Sequence, residues 1–116
     1  MLRTVPFSEF SKLDLIPQAI ISRPLSYFHK QLKIEISQGE DDLDVFEGAA
    51  LWVDNQLPFA LKHYPGYPVN TTTVYLSDEF TDIGEITRII SLIIKELQLP
   101  KDAVSWQRSD DPELLV

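Results

Sequence analysis

The clearest periodic signal in the chain is Ile83, Ile86, Ile90, Ile93, Ile94 and Leu97, which recur at three- and four-residue steps and so line one face of a helix over 82–97. Asp82 stands at the N-cap position with Glu85 three residues on, the arrangement of a capping box, and Pro100 bars continuation. Ile89 and Leu92 widen the apolar face well beyond a narrow stripe. A helix of this width needs cover on more than one side, from a sheet and N-terminal segments or from a second subunit, so a homo-oligomer built through the 82–97 helix is one expectation.

Upstream the period changes. Leu32, Ile34 and Ile36 alternate with Lys33, Glu35 and Ser37, which predicts a strand over 32–37, and the polar run Gln38-Gly39-Glu40-Asp41-Asp42 reads as a loop. Two further β-prone runs, 49–53 and 57–64, flank Asp54-Asn55-Gln56 and predict an antiparallel hairpin. Tyr64-Pro65-Gly66-Tyr67-Pro68 then reverses the chain into a β-branched run over 71–76. Residues 103–107 alternate weakly, enough for a short edge strand, and the tail 109–116 is expected to fray. Between 7 and 31, Pro17 and Pro24 each suit the first turn of a short helix, running through Ile21 and Gln31. The predicted fold class is α+β: a four-stranded, mainly antiparallel sheet packed by one long C-terminal helix, with short N-terminal helical segments.

Length and composition narrow the class without naming a reaction. A chain of 116 residues, 44% hydrophobic and 24% charged, predicts one α+β domain over 1–116, with 1–31 and 109–116 peripheral. The absence of cysteine excludes a disulfide framework and thiolate chemistry and favours a reducing compartment. No signal-peptide core opens the chain, and Glu85, Arg88, Lys95 and Glu96 interrupt its most apolar stretch, so a cytoplasmic protein without a membrane anchor is expected. A net charge of −8 repels phosphate backbones, so no nucleic-acid ligand is expected, and it steers a basic protein partner inward.

Candidate chemistry is sparse. Gly39, Gly48, Gly66 and Gly84 stand apart, so neither a phosphate-cradling loop nor a nucleophile elbow is present. Of the two histidines, His29 reads as structural, whereas His63 lies at a strand end before a loop, where a general base would sit. Glu40, Asp41, Asp42, Asp44 and Glu47 offer carboxylates for a hard cation. Counting from Asp42, however, Phe46 occupies the third ligand position and Gly48 comes one residue late for a calcium loop, so no metal or other cofactor is predicted. Trp52 and Trp106 read as core or partly core, and Arg88 and Lys95 as solvated charges on the helix's polar face.

The aromatic segment 57–68 is the preferred interaction site: a proline-stiffened loop carrying tyrosines suits anchoring, and acidic neighbours suit steering. The expectation is therefore a non-enzymatic, acidic protein-binding module acting as adaptor, inhibitor or regulator. Its partner-binding residues would be His63, Tyr64, Tyr67, Asp41, Asp42, Asp44 and Glu47. The competing expectations are a small hydrolase or metal-dependent enzyme using His63 with the carboxylates of 41–47, and a self-assembling structural protein.

Overall fold

The computed structural model describes residues 1–40 and 44–110. Its strands are β1 (Leu2–Val5), β2 (Leu15–Ile21), β3 (Ser37–Glu40), β4 (Val45–Val53), β5 (Leu57–His63), β6 (Thr72–Ser77) and β7 (Val104–Gln107). All seven join one antiparallel sheet in the order β1-β4-β5-β6-β2-β7, with β3 also beside β4. The long strand β4 has two partners along one side. Its first half pairs β3, from Ser37↔Gly48 to Glu40↔Val45, and its second half pairs β1, from Val5↔Ala50 to Leu2↔Val53.

Local chemistry accounts for the central meander. Between β4 and β5 the chain turns through Asp54 and Asn55, both at positive φ (52° and 58°), a conformation that short polar side chains tolerate and that matches the twist of a tight hairpin. Gln56 N–H donates to the Val53 carbonyl at 2.9 Å to close it. One face of the sheet carries Ala19, Ile21, Ala49, Leu51, Val53, Phe59, Leu61, Val74 and Leu76 into the main core. Two helices complete that core: α1 (Leu25–Leu32) through Leu25 and Phe28, and α2 (Ile83–Glu96) through Ile86, Ile89, Ile90, Ile93 and Ile94. The predicted N-cap of α2 is in place, with Glu85 N–H donating to Asp82 Oδ2 at 2.8 Å. No helix among the described residues is long and apolar enough to cross a membrane.

The α+β class and the antiparallel pairing hold, but the expected four-stranded sheet packed by one long C-terminal helix does not form. The sheet has seven strands, and its helical layer is shared between α1 and α2. Residues 17–21, expected as a turn of helix because Pro17 suits a first turn, belong instead to strand β2, between β6 and β7. A register shift between Pro17 and Ala19 puts the missing amide donor at a bulge, where the ladder tolerates it, and the flanking strands favour the β-branched Ile20 and Ile21.

The alternation over 32–37 is likewise no strand. The α1 helix runs to Leu32 and ends on Lys33 at φ 59°, with Lys33 N–H donating to the His29 carbonyl and Ile34 N–H to that of Phe28. Ile34 is buried because it folds back under this helix end. Strand β3 begins only at Ser37 and uses residues 38–40, which read as loop because an edge strand needs few apolar side chains. Strand β1, too short for periodicity to register, exists through its pairing with β4.

The second face of the sheet is covered in part. The chain after β1 makes a single 3-10 turn, Phe7–Phe10, and lays Phe7, Phe10, Leu13 and Leu15 over Val5, Ala50, Trp52, Phe46, Ala60 and Tyr75. Phe10 meets Trp52 edge-on at 5.9 Å between ring centroids, and Phe7 meets Phe46 edge-on at 5.0 Å. Farther across, where β6, β2 and β7 present the same face, the surface opens.

Candidate functional site

The loop from Tyr64 to Thr71 is held at several points. Tyr67 N–H donates to the Tyr64 carbonyl at 3.2 Å across Pro65 and Gly66, and Gly66 has φ +89°. Proline before a left-handed glycine is the sequence that a type II turn requires. Downstream, the Pro68 carbonyl accepts from Thr71 Oγ1 at 2.6 Å and faces His63 Nε2 at 3.2 Å, so the histidine ties the end of β5 to the far side of the loop.

The two tyrosines have different roles. Tyr64 is 5% exposed, its ring 5.4 Å from Phe46 and 5.4 Å from Tyr67, whereas Tyr67 is 46% exposed. Tyr64 therefore belongs to the core and supports Tyr67, and only Tyr67 presents its ring to solvent.

Tyr67 stands over the open part of the second face. There Pro17, Ile20, Tyr67, Thr73, Tyr75 and Trp106 line a shallow, mainly apolar recess of about 380 Å³. The sheet register builds its floor: Thr73, Ile20 and Trp106 are successive cross-strand neighbours on β6, β2 and β7, and Pro17 lies opposite Tyr75. Trp106, expected as core or partly core, is half-buried on the last strand and closes the recess on that side.

Behind Tyr75 lies a buried cation. Lys62, 7% exposed, holds its ammonium 4.3 Å from the Phe46 ring centroid, 4.8 Å from that of Tyr75 and 3.5 Å from the Tyr64 hydroxyl. Ring faces are electron-rich, so they offset part of the cost of removing the ammonium from water. On its other side Lys62 borders a recess of about 480 Å³ between the N-terminal turn and β3, walled by Phe7, Phe10, Asp14, Glu40 and Phe46.

The remaining expected residues do not gather around Tyr67. Glu47 lies within β4 directly opposite His63 on β5, and this pair shares the walls of two smaller recesses of about 230 and 270 Å³. Asp44 Oδ1 accepts from Val45 N–H at 2.7 Å, just before β4. Asp41 and Asp42 lie outside the described residues. Among the described residues no group of three His, Asp or Glu side chains could hold a metal ion. Pro17, Ile20, Thr73 and Tyr75 carried no sequence signal of a site, since only the pairing of β2 with β6 brings them together.

No protein-family model matches the chain, and neither does any curated protein or solved structure.

Proposed function

We propose that this protein is a non-enzymatic binding module that captures a protein partner on the open part of its second sheet face, with Tyr67 as the anchor. The observation that carries this reading is the apolar recess bounded by Tyr67, Tyr75 and Trp106 on a rigid sheet floor. Tyrosine and tryptophan on stiff supports lose little conformational freedom on binding, which is why such residues dominate the energetics of interfaces. The net charge of −8 adds attraction for a basic partner.

Within this reading the roles of the other residues are indirect. Tyr64 props Tyr67, and His63 fixes the loop through Pro68. Asp44, Glu47 and the acidic pair Asp41 and Asp42 contribute charge. Self-assembly through α2 has less to work with, because the apolar side chains this helix leaves outward are Ile83 and Leu92, 46% and 38% exposed.

The test compares proteins retained from lysate by the wild-type chain and by Tyr67→Ser, at low and moderate salt. The reading requires a partner that the wild type retains, that salt weakens, and that the variant loses while its thermal midpoint stays unchanged. A partner retained equally by both chains would reject Tyr67 as the anchor.

A further inference from the structure

We infer that the recess takes a proline-rich segment in the polyproline II conformation, flanked by basic residues. The inference rests on reading the recess as the partner site and names the chemistry of the occupant.

The first argument concerns hydrogen bonds. Strands β6 and β2, which floor the recess, are each paired on both sides, β6 with β5 and β2, and β2 with β6 and β7. Over Ala19–Ile21 of β2 and Thr73–Tyr75 of β6 the backbone groups are engaged in the ladder on both sides, and at the remaining recess position, Pro17, there is no amide N–H to pair, so an extended peptide lying across them gains little strand pairing and brings amide N–H groups that need acceptors. The groups at the rim are of the opposite kind. The Trp106 indole N–H can only donate, the Tyr67 hydroxyl readily donates, and neither has a hydrogen-bond partner among the described residues. A proline-rich segment fits that complement, for it presents carbonyl acceptors with few N–H groups.

Shape points the same way. Three aromatic rings with Pro17 and Ile20 line a mainly apolar recess of about 380 Å³, the aromatic-lined type of groove on which proline rings dock. Strand addition along the neighbouring edge is disfavoured, because β7 spans only Val104–Gln107, shifts register against β2 between Ile20 and Ile21, and runs straight into a 3-10 turn. A short, bulged edge is a poor template for another strand.

Charge sets the flanks. Beyond Pro17 and Tyr75 the two strands end at Leu15 opposite Ser77, and the exposed Asp14, Asp78 and Glu79 follow there. Arg108, just past Trp106 and Gln107, continues toward this same end of β2 because β7 runs antiparallel to it, and together with the exposed Lys12 it offsets part of that charge. Acidic groups at the β2/β6 end favour an arginine or lysine beside the proline run.

The experiment follows the two tryptophan indole N–H signals of the full chain by NMR during titration with a decaproline peptide carrying arginine at both ends. The Trp52 N–H, buried without a partner among the described residues, is the internal control. The Trp106 signal is expected to move saturably while Trp52 stays fixed. Raising the salt should weaken binding, and Tyr67→Ala should weaken it by about tenfold, as for an interface anchor. Two comparison peptides keep the arginines and replace the prolines, one with alanine and one with alternating valine and threonine. If either moves Trp106 as strongly as the proline peptide, the polyproline assignment is overturned while the recess stands as a binding site. If no peptide moves Trp106, the inference is overturned, and the lysate comparison with Tyr67→Ser decides the broader reading separately.

Discussion

Gly39 on β3 and Phe46 on β4 are direct cross-strand partners, and the Phe46 ring covers the place a side chain on residue 39 would take: a Cβ there would lie 2.5 Å from Phe46 Cζ. The ring is itself wedged by Phe7 and Tyr64 and has little room to retreat. Gly48, on the same strand as Phe46, is tighter still, since a Cβ there would lie 2.0 Å from the backbone oxygen of Leu61. Overpacking against a side chain costs about 1–3 kcal/mol, and the cost exceeds that when backbone must move. Urea denaturation should therefore rank Gly48→Ala as the more damaging change, with Gly39→Ala losing about 1–3 kcal/mol. The reverse order would contradict the packing described for β3, β4 and β5.

The Lys62 ammonium, enclosed by Phe46, Tyr64 and Tyr75, gives a second prediction. Lys62→Met keeps most of the side-chain volume and removes the charge, and should cost about 1–2 kcal/mol of desolvated cation–π attraction. Lys62→Ala also opens a cavity and should cost about 2–4 kcal/mol. A methionine variant more stable than wild type would mean that desolvation of the ammonium outweighs its attraction to the rings.

The start of α2 depends on one carboxylate. Asp82→Ala removes the acceptor for Glu85 N–H and should lower stability by about 1 kcal/mol, whereas Asp82→Asn should stay within a few tenths of wild type. Thermal unfolding followed by circular dichroism separates the two outcomes.

A pH-dependent element sits at the other end of the chain. The Met1 ammonium donates to the Asp54 carboxylate in the β4–β5 turn, with Glu96 3.6 Å away, and this hydrogen bond and the two negative charges raise the amine above its ordinary value of 8.0. A raised folded-state value means the contribution is present below pH 8.0 and is lost as pH rises through the folded value. The groups are largely exposed, so the effect should be small and salt-sensitive. Denaturation midpoints between pH 7 and about pH 10 should fall slightly more for the wild type than for Asp54→Asn; parallel curves would show that the pair contributes nothing.

How far the sequence carried depended on the range of the contacts involved. The helix over 82–97 and the hairpin 49–64 were legible because their causes are local: isoleucines at helical steps, an N-cap aspartate, and a polar turn between β-prone runs. Pro17 misled because the same residue suits a first helical turn and a bulge, and only the neighbouring β6 selects the bulge. Leu32, Ile34 and Ile36 misled because a helix end folding back into the core mimics alternation. The exposed place of Tyr67 beside a turn was legible, but the recess was not, since its lining comes from β2, β6 and β7 and meets only through pairing.

The placement of β1 and β2 in the sheet has a consequence for the chain's birth. Leu2–Val5 must wait for Ala50–Val53, and Leu15–Ile21 for Thr72–Ser77, whereas β4, β5 and β6 follow one another as hairpins. About fifty residues separate each early strand from its partner, which at roughly 5–20 residues per second of synthesis is on the order of 3–10 s. Strands β1 and β2 are thus made well before the segments that seat them, and the apolar run Leu15–Ile21 must wait that interval for Thr72–Ser77.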